Sequence, residues 1–150
     1  MSSDDFAARM NETLTGWNKA MGLHFVRASA EEVVAELEVG EQHRQPYGIV
    51  HGGVHSGVIE ALCSVGAALF ALPNGQSVVG LENQTSFLKA VRSGRLTITA
   101  TPLSRGRRAQ VWEGNVREER GRLVATGRVR LLCLDANAEL AGQRVDRVPR

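Results

Sequence analysis

Lysine is almost missing from this sequence: Lys19 and Lys89 are the only two, and the basic side is otherwise arginine. Acidic residues nearly match it, leaving a formal charge of +2. That is too close to neutral to hold a nucleic acid by charge alone. Aromatic residues make up only 5%, so the core has to be built from Val, Leu, Ala and Ile. The two cysteines, Cys63 and Cys133, both lie inside apolar runs; this excludes a disulfide framework and fits a reduced, cytoplasmic protein. There is no Cys-x-x-Cys pair, Gly-x-Ser-x-Gly elbow or Gly-rich phosphate loop. His24, His43 and His55 have no Cys, Asp or His at metal-ligand spacing, so no metal or other cofactor is expected. Residues 1–14 open on acidic side chains and lack the basic-then-apolar order of a secretory signal.

What is present suits one compact domain. A chain of 150 residues, 43% hydrophobic and 23% charged, can bury about 68–70% of its unfolded surface. Residues 3–20 place Phe6, Met10, Leu14 and Trp17 at helical spacings, predicting an amphipathic N-terminal helix over segment 1–20. The main domain, 21–135, follows. Strands are expected at 23–28 and 32–39, the second alternating Val33, Ala35, Leu37 and Val39 with Val34, Glu36 and Glu38. A polar loop spans 40–48. Further strands are expected at 77–89, 95–103, 107–118 and 122–134, with Glu119, Arg120 and Gly121 turning the last hairpin. Residues 136–150 read as a loose polar tail. One long apolar helix amid antiparallel strands has to be wrapped by the apolar face of the sheet, an α+β arrangement.

The helix, residues 53–72, is long enough to cross a bilayer. Glu60 near its middle argues against that, because a carboxylate there costs roughly 3 kcal/mol; no membrane partner is expected. At 100° per residue Gly53, Gly57, Glu60, Ser64, Ala67 and Ala71 share one lane, with an apolar stripe of Val54, Val58, Ala61, Val65, Ala68 and Leu72 a quarter-turn away. Glu60 is thus the one charge in a buried run, facing small side chains with Ser64 a turn below. It either pairs with an arginine across a subunit contact or does chemistry. Cys63, a quarter-turn from Glu60, reads as a packed core residue. His55, on the first turn, reads as packing or as channel lining. His51-Gly52-Gly53 stands just before the helix, where uncovered backbone N–H groups and the helix dipole suit a developing oxyanion, with the Gly53 N–H as the expected donor.

The segment Gln45-Pro46-Tyr47-Gly48-Ile49-Val50-His51-Gly52-Gly53, followed by Glu60 and Ser64, resembles the hotdog-fold acyl-CoA thioesterases. The likeness is strongest to the phenylacetic-acid-degradation, 4-hydroxybenzoyl-CoA and dihydroxynaphthoyl-CoA types. It extends over residues 21–134, including the Asn83–Ala90 strand and the Ser104-Arg105-Gly106-Arg107 turn. The resemblance implies that Glu60 attacks the thioester or activates water, and that Gly53 N–H polarises the carbonyl. It implies that Gln45 and His51 support the thioester, and that Ser64 helps to place water or the acid. Asn83, Ser86 and Phe87, with Arg105, Gly106, Arg107 and Arg108, would border the CoA channel, arginine suiting phosphates. The same arginines would suit an acyl carrier protein. A homodimer with a continuous sheet, commonly paired into a homotetramer, is also implied. Two other readings remain open on the sequence: a hotdog hydratase or dehydratase, and a non-catalytic acyl-CoA-binding protein.

Overall fold

The computed structural model describes residues 5–145. The single N-terminal helix expected over 3–20 is two: α1 (Ala7–Glu12) and α2 (Gly16–Ala20). The Thr13 hydroxyl donates to the Arg9 carbonyl at 2.9 Å, and Gly16 takes φ +56°. A threonine that competes for the helix carbonyls, followed by a left-handed residue, ends the first helix. Ser3 and Asp4 lie outside the described residues. Phe6, Met10 and Leu14 nevertheless pack on the core as their spacing indicated.

Six strands form one antiparallel sheet: β1 (His24–Ala28), β2 (Val33–Glu38), β3 (Ser77–Phe87), β4 (Arg95–Arg105), β5 (Ala109–Glu118) and β6 (Leu123–Leu134), in the order β1-β2-β4-β5-β6-β3. The expected strands are all present. β3 stops two residues short of its predicted end and β4 runs two residues beyond its own, so Arg105 belongs to the strand rather than the turn. Helix α3 (Gly52–Ala71) lies against the concave face and completes the hotdog arrangement. By length and mean hydropathy, 1.6 over its best window, this helix could cross a membrane; here Val58, Ile59, Leu62, Cys63 and Ala67 on it are wholly buried against the sheet. Residues 136–145 are not a loose tail: β7 (Glu139–Leu140) and β8 (Gln143–Arg144) make a short hairpin. Ala141 and Gly142, both at positive φ, supply the turn that twisted hairpins favour. Residues 146–150 fall outside the described part.

Two polar pins set α3 in place. Trp112 and Gln110 are fully buried. The Gln110 amide donates to the Ala67 carbonyl at 3.1 Å and its oxygen accepts the Trp112 indole N–H at 2.9 Å. The indole packs where a side chain on Gly66 would stand, so the helix rests directly on the ring. The second pin is His43, also fully buried. Its Nε2 donates to Met21 O and its Nδ1 accepts the Gly40 N–H, each at 2.8 Å. The His43 carbonyl then accepts the His51 N–H at 2.7 Å. The turn entering α3 is therefore tied to a rigid buried imidazole.

The N-terminal arm closes the β1 edge. Asn11 bonds both backbone groups of Phe25, at 2.9 and 2.8 Å. The Phe6 N–H donates to Ala28 O, and Asp5 Oδ1 accepts the Ala28 N–H. The Ala28 and Ala7 N–H groups that donate to it hold the Asp5 carboxyl below its usual pKa. At the opposite edge, β3 pairs only with β6.

Since any side chain at position 66 meets the indole, Gly66→Val is expected to destabilise the fold by about 1–3 kcal/mol, read as a lower urea midpoint at unchanged slope.

Candidate active site

The exposed lane of α3 is not the one a simple helical wheel marks. Ala67 and Ala71, expected beside Glu60, are buried, whereas Ala61, Val65 and Ala68 of the expected apolar stripe are only half-buried and Leu72 is exposed. The sheet reaches further round the helix on the Ile59–Cys63 side than composition suggested. What stays open is the strip of Ser56, Gly57, Glu60, Ala61 and Ser64, with the Trp17 indole lying against Gly57.

Glu60 is half-buried on this strip, and β3 holds its carboxylate. Asn83 Nδ2 donates to Glu60 Oε2 at 3.0 Å and to the Ser56 carbonyl at 3.0 Å. The Thr85 hydroxyl donates to Asn83 Oδ1 at 2.7 Å and so fixes which way the amide faces. A Cβ at position 80 would fall on Glu60 Oε1; Gly80 is what lets the carboxylate reach the strand. Ser64, one turn on, is half-buried, and its hydroxyl makes no hydrogen bond to the Glu60 carboxylate. Cys63 is buried, and desolvation, reinforced by the nearby charges of Glu60 and Glu113, pushes its thiol up to about 12. It is a core residue, not a nucleophile.

The second part of the site is the entry to α3. His51 is the N-cap, and its Nδ1 accepts the Gly53 N–H at 2.8 Å. The amide named as the expected oxyanion donor is thus already engaged within the chain. An N-cap side chain takes the amide of the second or third helical residue and leaves that of the first free. Here the first is Gly52, whose N–H has no partner among the described residues. The Phe87 ring packs on Gly52 where a Cβ would stand. Gln45 uses its side-chain oxygen to accept the Tyr47 N–H, which leaves its NH2 group to donate elsewhere. These residues border an open cavity of about 560 Å³ whose walls include Gln45, His51, Gly52, Gly53, His55 and Phe87.

Glu60 does not line that cavity. It stands eight positions along the helix from Gly52, about 12 Å of rise, and the four steps of strand from Asn83 to Phe87 cover about 13 Å alongside. Within one chain, carboxylate and free amide are neighbours along a groove rather than a single centre. The arginine turn is further away. Arg105, Gly106, Arg107 and Arg108 border a second cavity, of about 790 Å³, with Phe70 and Asn74 at the far end of α3. Arg105 is committed to the fold: it bonds Glu31 at 2.8 and 3.2 Å, the Ala30 carbonyl at 2.8 Å, and stacks 4.6 Å from the Phe70 ring centre. Arg107 and Arg108 are exposed. Ser86 is exposed on β3 between Thr85 and Phe87.

Two contributors escaped the sequence reading. Gly80 carried a signal, a glycine inside a strand, which marks close approach of another group. His55 was noted only as packing or lining. It is 3% exposed, its Nδ1 has no hydrogen-bond partner, and its ring lies 6.2 Å from that of Phe87. No cluster of three His, Cys, Asp or Glu side chains that could hold a metal occurs among the described residues.

Residues 47–125 match the family model described as the thioesterase superfamily. The chain belongs to that superfamily. A Mycobacterium tuberculosis protein whose name places it provisionally among the esterases is 38% identical over 136 residues, covering 89% of this chain and 96% of its own. The solved structure of that protein gives a TM-score of 0.79, covering 81% of this chain and 98% of that one. A 1,4-dihydroxy-2-naphthoyl-CoA hydrolase of Listeria monocytogenes is 34% identical over 113 residues, 75% of this chain and 91% of its own. The structure of a thioesterase from Haemophilus influenzae is 29% identical with a TM-score of 0.79, covering 86% and 90%. The protein is a thioester hydrolase of the hotdog fold.

Two outcomes follow from the geometry. Gly80→Ala places a methyl group on the Glu60 carboxylate, which can swing away without unfolding the edge strand; turnover of a thioester should fall about 10²-fold at little change in melting temperature. Burial holds the His55 imidazole below its usual 6.5, so the unfolded chain takes a proton that the folded one refuses. Stability is therefore full above 6.5 and declines as the pH drops below it. Denaturant midpoints taken from about pH 8 to about pH 5 should show this fall, and His55→Phe should flatten it.

Proposed function

We propose that the protein hydrolyses an acyl-CoA to the free acid and CoA, with Glu60 as nucleophile or general base. The observation that carries this reading is the pairing of an oriented carboxylate, Glu60 on Asn83, with an unpartnered helix N-terminal amide at Gly52. The thioester oxygen accepts the Gly52 N–H, where the helix dipole and a second donor from the Gln45 amide stabilise the charge that develops. This role belongs to Gly52 rather than Gly53, because the Gly53 N–H already serves His51. By accepting that bond, His51 keeps the turn in shape. Glu60 then either attacks the carbonyl carbon, expelling the CoA thiolate and leaving a mixed anhydride that water cleaves, or takes the proton of a water that attacks. Ser64, one turn from Glu60 on the same strip, would hold that water. The thiolate leaves with a proton from solvent, and no metal is needed.

Reacting atoms must come within about 3–3.5 Å, and about 12 Å of helix lies between Glu60 and Gly52 of one chain. A homodimer resolves this. The unpaired outer edge of β3, eleven residues long with Leu81 half-exposed, supports antiparallel pairing with the β3 of a second copy. That pairing runs the two α3 helices in opposite directions and sets Glu60 of each beside the Gly52 pocket of the other. Asn83, Ser86 and Phe87 then flank the channel. The exposed arginines, Arg107 and Arg108, take the CoA phosphates with Gly106 giving access, while Arg105 braces the turn through Glu31. Pairing of dimers into a homotetramer would follow the same family pattern. Two unpaired cysteines suit the cytoplasm.

The test is thiol release from phenylacetyl-, hydroxybenzoyl-, short-chain and long-chain acyl-CoAs, with wild type beside Glu60→Gln. The expected result is turnover of at least one thioester, reduced by about 10²–10⁴-fold in the variant with its circular dichroism unchanged. Retained turnover in a folded Glu60→Gln protein would remove Glu60 from the mechanism.

A further inference from the structure

His55 is a polar side chain in the wrong place for a core residue. It is 3% exposed, yet neither ring nitrogen has a hydrogen-bond partner among the described residues, and its Nδ1 is wholly buried. Buried polar groups are nearly always bonded, and an unmade bond of this kind is expensive to keep. The two other histidines next to the site show what this fold does with an imidazole that is only structural. His43 uses both nitrogens, and His51 uses Nδ1 as the helix cap. His55 does neither. It lines the same cavity as Gln45 and Gly52, three residues into α3 from the free amide, about 4.5 Å further along the helix.

Much of the remaining wall of that cavity is apolar, with Ile49, Val50, Phe87 and Leu88 among its residues and the Phe87 ring next to His55. A space of about 560 Å³ is of the size that encloses a small ligand. The nucleotide end of CoA must stay outside it, so the deep end meets the acyl group. Burial favours the uncharged imidazole, which offers one N–H and one lone pair and no charge with which to hold a carboxylate. Nδ1 is sealed from the cavity, so a ligand meets the ring at Nε2, and a hydroxyl, which both donates and accepts, can bond that nitrogen in either tautomer. Of the other ionisable side chains on the wall, His51 has its Nδ1 engaged by the Gly53 N–H and Lys89 is exposed at the rim.

We infer that His55 is a specificity-determining residue of the acyl pocket, bonding a hydroxyl carried on the acyl chain close to the thioester carbonyl. The inference rests on the acyl-CoA hydrolase reading. It adds a preference that the catalytic groups alone would not create: a pocket holding an unpaired imidazole rejects the acyl group that leaves it unpaired.

The test compares kcat/KM for 2-hydroxybutyryl-, 3-hydroxybutyryl- and butyryl-CoA in wild type, His55→Phe and His55→Gln. Phenylalanine keeps the ring packing beside Phe87, and glutamine keeps a donor and an acceptor. Wild type should favour one hydroxylated thioester over butyryl-CoA by about ten- to a hundredfold. That ratio should fall to near one in His55→Phe and be restored in part by His55→Gln. Wild type turning over all three without preference overturns the inference while the hydrolase reading stands. So does a preference that survives in His55→Phe, or one that follows the thiol, seen when N-acetylcysteamine thioesters are replaced by simple alkyl thioesters. If no acyl-CoA of any kind is hydrolysed, the hydrolase reading has failed and the inference falls with it. Should His55→Phe not fold, the ring 15N resonances of wild type decide: the hydroxybutyrate products should shift one histidine ring that butyrate leaves unmoved, and equal shifts overturn the assignment.

Discussion

Everything in this molecule is arranged around one constraint: a twenty-residue apolar helix with a single carboxylate at its middle has to be covered on its greasy sides and left open on one. The sheet does the covering. Its grip depends on close contact, with Gly66 resting on the Trp112 indole and Gly114 on the Ile59 side chain. Where the sheet runs out, at the edge strand β3, the carboxylate emerges and is caught by the last strand it can touch. Asn83 serves the fold and the site together: the amide that orients Glu60 also bonds the Ser56 carbonyl and so fastens edge strand to helix.

The free amide and the cavity beside it have a similar double origin. His51 ends the turn from β2 and begins α3. It can do both because its N–H is held by the buried His43 and its ring closes over Gly53. The imidazole that caps the helix decides which backbone donor remains for a ligand. A side chain of another shape at the cap would change which amide is left free.

The fold was legible because its signals are periodic. Alternation in the strands and the uninterrupted run from Gly53 to Leu72 are consequences of burial, and burial is what a sequence records best. The long N-terminal helix was misjudged because hydrophobic spacing continued through Thr13 and Gly16 while the backbone could not. The tail was misjudged because a two-residue hairpin turning at Ala141 and Gly142 has too little pattern to notice. At the site, Glu60 announced itself as a lone charge, but its partners did not. Which of two adjacent glycines carries the free N–H depends on where the cap falls, a matter of one residue that spacing does not resolve. The open lane of α3 depends on how far the sheet curls, and a helical wheel contains no sheet. Arg105 looked like its neighbours in the turn, and only its contacts with Glu31 and Phe70 set it apart.

The closed edge at β1 limits how large an assembly this sheet can make. Phe25 and Ala28, which would otherwise offer donors and acceptors outward, are already bonded by Asn11, Phe6 and Asp5 of the same chain. A sheet with two open edges can add copies without end, in the manner of a fibre. This one has a single open edge, so the first copy to pair along β3 presents only another closed edge on its far side. Growth by strand addition would end at two, and the stop would be supplied by a short arm at the start of the same chain.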